Sequence, residues 1–149
     1  MNEQAATQEE RALAALAHGS VLLGFFTGGI GGMIAALVIW LAERGRSAYA
    51  AGQALQALVF QAITFVVTML AWCCWGLVWM MLILVPLWSN PLAYEGSAPP
   101  AGMLAGLALM AVPLGIWLIT IVYGLYGAAR CIQGHDFRYA VIGRWLKNQ

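Results

Sequence analysis

The histidines of this chain are the side chains best suited to holding a cofactor, and there are only two of them, His18 and His135. Two histidines on facing helices are the minimum that could hold a haem iron from both sides. The simpler interpretation is that His18 hydrogen-bonds to a neighbouring helix, while His135 lies in a solvated turn after Gly134. We adopt this interpretation and predict no cofactor. Binding of haem or quinone through the histidines is a remote alternative.

The cysteines could bind a metal only if their spacing allowed it. Cys73 and Cys74 are adjacent, so on a helix they point about 100° apart and cannot chelate one ion as a Cys-x-x-Cys pair does. With Cys131 they make an odd count of three without paired spacing, which indicates buried apolar thiols rather than disulfides or a metal site. Acylation of Cys131 is an alternative. No phosphate-binding loop or nucleophile motif occurs, so we expect no metal and no enzyme activity.

Three tryptophans form a second pattern. Trp72, Trp75 and Trp79 recur at i, i+3 and i+7, which places them along one stripe of a helix. Aromatic belts mark membrane interfaces, but Trp72 and Trp75 lie near the middle of their apolar block. A small helical bundle has little interior for three indoles. We therefore predict that the stripe contacts another membrane subunit, with contact to lipid as an equal alternative.

The composition decides where such side chains must lie. Of the 149 residues, 62% are hydrophobic and 9% are charged, whereas about a quarter of the residues of a soluble domain are charged. Most of the outer surface must therefore face lipid, and the chain is predicted to be an integral membrane protein. The formal net charge of +1 does not indicate nucleic-acid binding. The acidic start of the chain does not resemble a cleavable signal peptide.

Apolar blocks define the helices that would cross the membrane. The blocks Ala12–Ala42, Ala54–Trp88 and Ala101–Ile132 each exceed the roughly 20 helical residues that one crossing needs. The first block is interrupted by the glycine-rich run 27–32, which predicts a turn. We predict one membrane domain over residues 1–149, with helices at about 10–26, 31–44, 48–88 and 100–133 and an amphipathic tail at 136–147.

Basic residues set the predicted orientation. If the first block turns back at its glycines, all seven of them lie on one side: Arg11, Arg44, Arg46, Arg130, Arg138, Arg144 and Lys147. The loop 89–100, which has no lysine or arginine, then lies outside, as the positive-inside rule requires. The fold class is therefore an all-α, four-helix transmembrane bundle with both termini in the cytoplasm. The first two helices are short and either cross fully or form a wedge.

Small and polar residues are expected to hold this bundle together. Glycines spaced by four allow close helix packing, and we assign this role to Gly24, Gly28, Gly32, Gly102 and Gly106. The first three could equally form the turn. Three glutamines near the cytoplasmic end of the long second block should make interhelical hydrogen bonds: Gln53, Gln56 and Gln61.

The basic tail is predicted to lie on the inner leaflet, where anionic lipid attracts it. The residues expected to contact this leaflet are Arg138, Arg144, Trp145 and Lys147. A protein-docking surface is the alternative for the same tail.

Four local patterns, in order along the chain, carry a resemblance to a known family: 16–20 (LAHGS), 39–44 (IWLAER), 47–61 (SAY followed by ALVFQ) and 134–139 (GHDFRY). The chain resembles the bacterial membrane domain of unknown function that is distantly similar to the Tic-type import component of the chloroplast inner envelope. It departs from the family pattern at Gln53, Val59 and Ala140. The resemblance implies a four-helix membrane fold, no catalytic residues, and a role in protein assemblies or translocation.

Together these patterns favour a non-catalytic accessory or scaffolding subunit of a larger membrane complex. An energy-transducing or electron-transfer complex is one candidate for that larger complex. The expected partners are the lipid bilayer and other membrane subunits, and the expected location is the bacterial cytoplasmic membrane, crossed several times. A Tic-type translocation or transport component is the alternative.

Overall fold

The computed structural model describes residues 6–89 and 101–140, and every regular element in those ranges is an α-helix. The elements are α1 (Gln8–Gly19), α2 (Val21–Phe26), α3 (Ile30–Glu43), α4 (Ala48–Ser89), α5 (Ala101–Leu109) and α6 (Ala111–Ile132). The predicted all-helical fold with four helices is confirmed, because α1 and α2 together fill the predicted helix 10–26, and α5 and α6 together fill the predicted helix 100–133. The loop 90–100 and the residues from 141 onward lie outside the described residues.

Two helical stretches, Ala48–Ser89 and Ala101–Ile132, are long and apolar enough to cross a membrane. The helix α3 is apolar but shorter. The α4 helix contains Pro86 and ends at Ser89, close to the predicted end at residue 88. The break between α5 and α6 has a clear cause, since Pro113 has no N–H to donate to the carbonyl of Leu109.

The described chain forms two compact units: unit 1 contains the residues up to Phe65 and those from Ile119 onward, and unit 2 contains Val66–Leu118. The interior of unit 1 is built largely from alanine, including Ala14, Ala17 and Ala36, which are buried. Small side chains let helices approach closely without large cavities. In this unit α1, α2 and α3 pack against each other.

The N-terminus of α1 is fixed by a capping box. The Glu10 amide donates to the Thr7 hydroxyl at 3.3 Å, and the Thr7 amide donates to the Glu10 carboxylate at 2.7 Å. Glu10 also accepts a hydrogen bond of 2.6 Å from the Ser47 hydroxyl, while the Ala50 amide donates to the same hydroxyl at 3.1 Å. The starts of α1 and α4 are therefore joined through the side chains of Glu10 and Ser47.

The predicted glycine turn joins α2 to α3. Gly28 and Gly29 have φ values of 64° and 100°, in the left-handed region that other residues rarely adopt. A Cβ atom on Gly29 would come within 2.5 Å of Phe65 Cδ2. A Cβ atom on Gly28 would meet nothing within 4 Å. Gly28 is thus a turn residue, the second of the two roles predicted for it, and has no neighbour in the position of a packing contact.

The other four glycines assigned to packing do lie close to neighbours. A Cβ on Gly32 would clash with Gln61 Oε1, and one on Gly24 would reach ordinary contact with Gly29. In unit 2, Gly102 lies against the Leu82 carbonyl and Gly106 against the indole of Trp79. These contacts bring α5 close to the second half of α4.

Candidate functional site

His18 is the centre of a buried polar cluster in unit 1. Its side chain has no exposed surface, and both of its ring nitrogens have partners. Nδ1 lies 2.9 Å from the hydroxyl of Tyr139, and Nε2 lies 3.0 Å from Oε1 of Gln53. One imidazole therefore joins α1, α4 and the segment that follows α6.

The neighbours of Gln53 determine the tautomer of His18. Gln53 Nε2 donates to the Asp136 carboxylate at 2.7 Å, so its Oε1 is the acceptor that faces the histidine. His18 must then carry its proton on Nε2, and Nδ1 must accept the proton of the Tyr139 hydroxyl. The Cys131 thiol, 3.6 Å from Gln53 Oε1, is a further weak donor to that oxygen. All these bonds are satisfied by a neutral imidazole.

Aromatic rings enclose the polar bonds. Tyr139 stacks on Phe60, with the ring centroids 4.0 Å apart and an interplanar angle of 10°. Phe137 meets the His18 ring edge to face at 5.4 Å. Gly127 of α6 makes room for both, because a Cβ there would lie 2.8 Å from Phe137 Cε1 and 3.3 Å from His18 Cγ. This enclosure excludes water from the hydrogen bonds of His18.

Gln61 of α4 makes a second buried polar link, to the C-terminal end of α1. Its Nε2 donates to the Ala17 carbonyl at 3.3 Å and to the Ser20 hydroxyl at 3.1 Å. The same hydroxyl lies 2.7 Å from the Ala17 carbonyl and 3.0 Å from that of Gly32. The predicted interhelical bonds of Gln53 and Gln61 are thus present. Gln56 differs, since its buried Oε1 has no hydrogen-bond partner.

Burial controls the charge state of the cluster. The bonds of His18 to Tyr139 and Gln53 are both made by a neutral ring, and a charged ring would be costly in this buried position. Burial likewise raises the pKa of Tyr139.

At the surface, Asp136 pairs with Arg138 at 2.7 Å, with both side chains about half exposed. The bond from Ser47 lowers the pKa of Glu10. The charges therefore stay at the rim, while the centre is neutral.

The geometry does not suit the remote haem alternative. An axial ligand needs a free nitrogen lone pair, and His18 Nδ1 already accepts from Tyr139. His135 is exposed, and its carbonyl accepts a long 3.5 Å bond from the Tyr49 hydroxyl. Among residues 6–89 and 101–140, no three His, Cys, Asp or Glu side chains are grouped so that they could hold a metal ion.

The tryptophan stripe lies in unit 2 and contacts α5 of the same chain. Trp75 Nε1 donates to the Gly106 carbonyl at 2.8 Å. Trp75 stacks on Trp79 with centroids 5.1 Å apart, and Trp72 meets Trp75 edge to face at 5.3 Å. The indole N–H of Trp79 is buried without a partner. All three rings remain partly exposed, so contact with another subunit stays a prediction for that exposed part.

The described part of the predicted tail is not a helix. Residues 136–140 have no regular structure, and Phe137 and Tyr139 are buried inside unit 1, where lipid cannot reach them. Arg138, between them, is exposed. Arg144, Trp145 and Lys147 lie outside the described residues, so their contact with the inner leaflet stays a prediction.

Several residues of the site were not predicted. Tyr139 and Asp136 were assigned to a surface tail, and Gly124 and Gly127 were not recognised as contacts of α6. The sequence holds two signals for them. Phe137 and Tyr139 alternate with Arg138, as expected of a segment with one buried side, and the two glycines lie on neighbouring turns of an apolar helix.

The fold and the site define a small helical membrane protein. Its buried polar cluster joins segments that lie far apart in the sequence. The model of the MamF/MmsF family, described as the magnetosome magnetite crystal formation protein family, matches residues 9–146. The chain belongs to this family, which is a bacterial magnetosome membrane protein family. This confirms the predicted membership of a bacterial membrane-protein family, but shows no Tic-type similarity. Comparisons with curated proteins and with solved structures give no match.

Proposed function

We propose that this chain is a non-catalytic, multi-pass membrane component of magnetite crystal formation, acting as an accessory or scaffolding subunit at the magnetosome membrane. The observation that carries the proposal is the family match over residues 9–146.

The surface of the second half of α4 supports a role within a membrane. Eleven large apolar side chains between Val66 and Leu87 are exposed: Val66, Val67, Met69, Leu70, Leu77, Val78, Met80, Met81, Leu84, Val85 and Leu87. Exposed apolar surface on this scale must be covered by lipid or by other membrane helices. A protein that places most of its surface there acts through contacts within the bilayer, which suits a scaffolding role.

A gene deletion in a magnetite-forming bacterium tests the proposal. We expect the crystals to change in size or number, as measured by electron microscopy, and the wild-type gene to restore them. A matched pair of variants then relates the effect to the fold: Gly52→Ala should restore the crystals, and Gly32→Leu, which fills a close helix contact, should not. Unchanged crystals in the deletion strain would contradict the proposal.

A second experiment tests the accessory-subunit part of the proposal. Native electrophoresis in mild detergent, followed by mass spectrometry, should find the chain in a larger assembly with other magnetosome membrane proteins. A lone small particle at every detergent strength would exclude a stable accessory subunit. An electron-transfer host, considered from the sequence, receives no support from the family.

The Tic-type translocation role remains the alternative prediction. It rests on the sequence resemblance, and ion or peptide flux into vesicles containing the purified protein tests it. No flux above that of empty vesicles counts against it.

A further inference from the structure

Residues 134–140, which we name the clasp, follow α6 and fold back onto unit 1. Within the clasp, Phe137 is 6% exposed and Tyr139 is 3% exposed. Gly134 and His135 bond to the end of α6 through their backbone amides, whereas residues 136–140 lie outside any helix. Side chains attach this part of the clasp to unit 1: the two aromatic anchors, the Tyr139 bond to His18, and the Asp136 bond to Gln53.

We propose that His18 is the pH-sensing residue of the clasp, and that protonation of His18 releases the clasp from α1, α4 and α6. In the neutral state Nδ1 accepts the hydroxyl proton of Tyr139. A proton on Nδ1 faces that same hydroxyl, which must rotate to become an acceptor and loses the bond that it donated. The resulting imidazolium also has to lie among the rings of Phe137 and Tyr139 without a carboxylate partner, since Asp136 is bonded to Gln53 and Arg138 instead.

The groups around His18 leave it as the buried sensor near neutral pH. The other titratable side chains packed in the cluster are Tyr139 of the clasp, Cys131 and Tyr123 of α6, and Tyr49 of α4. Phenols and thiols ordinarily titrate above neutral pH, and carboxylates ordinarily titrate near pH 4. The Arg11 guanidinium of α1 lies beside Gly134, at the start of the clasp. His135, the other histidine of the chain, is exposed and provides a matched control.

The direction of the pH effect follows from linkage. Since the docked clasp pairs both nitrogens of a neutral His18 ring, protonation opposes docking. The docked clasp is therefore fully stable above the ordinary histidine value of about 6.5 and loses stability as the pH falls below it. A single proton changes the opening equilibrium by at most about tenfold for each pH unit in this window.

Cys131 reports the opening of the clasp. It has no exposed surface and belongs to the same core as Phe137 and Tyr139. Replacing Cys73 and Cys74 by alanine leaves it as the only thiol of the chain. The protein in detergent micelles is mixed with 4,4′-dithiodipyridine at pH 7.5 and at pH 5.5. Each labelling rate is divided by that of the unfolded protein at the same pH, which removes the pH dependence of the reagent.

We expect this rate ratio to rise several-fold at pH 5.5. In His18→Gln, whose neutral amide can still donate and accept, the ratio should change less than twofold. In His135→Gln it should rise as in the parent protein. The proposal is overturned if the ratio does not rise, if His18→Gln rises equally, or if His135→Gln abolishes the rise.

A pH titration keeps the test decisive if His18→Gln does not fold. The rate ratio of the parent protein should begin to rise below about pH 6.5, and Asp136→Asn should leave that onset unchanged. A rise confined to pH values below about 4.5 would assign the transition to a carboxylate and overturn the proposal.

Discussion

At the scale of single residues, the Tyr139 hydroxyl is the polar group on which the clasp depends most directly. Its removal in Tyr139→Phe leaves Nδ1 of His18 buried without a donor. An unsatisfied buried acceptor costs about 1–3 kcal/mol. We therefore expect a lower Tm in detergent, measured by intrinsic tryptophan fluorescence on heating.

Tyr126→Phe is the control for this substitution. Tyr126 packs edge to face on Phe137 with ring centroids 5.8 Å apart, but its side chain is 52% exposed. The loss of its hydroxyl leaves no buried group unsatisfied, and the Tm should stay close to that of the parent protein. Equal Tm values for the two variants would show that the bond between His18 and Tyr139 does not stabilise unit 1.

The site was only partly predictable from the sequence at this scale. The glutamines and His18 could be assigned to interhelical hydrogen bonds, because polar side chains in an apolar segment need partners. Their partners could not be identified. Tyr139 lies 121 positions from His18, and the basic residues that follow it favoured a surface location, so no local pattern indicated that it returns to the core.

At the scale of helices, close glycine contacts control the packing of unit 1. A Cβ at Gly32 would lie 2.7 Å from the Ser20 carbonyl, and a backbone atom cannot move aside as a flexible side chain can. We expect Gly32→Ala to destabilise the protein by about 1–3 kcal/mol, as overpacking does. Thermal unfolding in detergent measures the effect.

Gly52→Ala is the matched helical control. A Cβ on Gly52 meets nothing within 4 Å, and alanine favours the helix over glycine by about 0.5–1 kcal/mol. This variant should be as stable as the parent protein or slightly more so. If both substitutions lowered the Tm equally, the close approach at Gly32 would not be the cause.

In unit 2 the corresponding contact joins Trp75 to α5. Trp75→Phe keeps an aromatic ring but removes the hydrogen bond to the Gly106 carbonyl. We expect a loss of about 0.5–1.5 kcal/mol, the usual net contribution of such a bond. Cys73→Ala, at an exposed position two residues away, is the control. An unchanged Tm for Trp75→Phe would indicate that the indole acts through contacts with other subunits instead.

Helices were more predictable than contacts, for physical reasons. The glycines of 27–32 interrupt the first apolar block locally, so the division into four helices follows from the composition of the apolar blocks. The break at Ser20 could not be foreseen in this way. It depends on the carbonyl of Gly32 and on Gln61, which approach Ser20 only after the chain has folded.

At the scale of the whole molecule, the predicted arrangement in the membrane can be tested directly. Reporter fusions after Gln4, after Ser97 and at Gln149 should place both ends in the cytoplasm and Ser97 on the other side. The reason is that the loop 89–100 contains no lysine or arginine, and segments rich in these residues stay in the cytoplasm. A fusion at Gln4 opposite in orientation to that at Gln149 would show that the first block crosses only once.

The bond between His18 and Tyr139 also has a consequence for biosynthesis. Membrane helices enter the bilayer one after another as the chain is made, but unit 1 cannot close until synthesis has passed residue 139. Until then His18 has no donor for Nδ1, and Gln53 has no carboxylate for its amide. The newly inserted helices therefore remain in this open state until the end of the chain has been made. A ribosome that stalls before residue 136 should leave a membrane-bound chain that quality-control proteases recognise and remove.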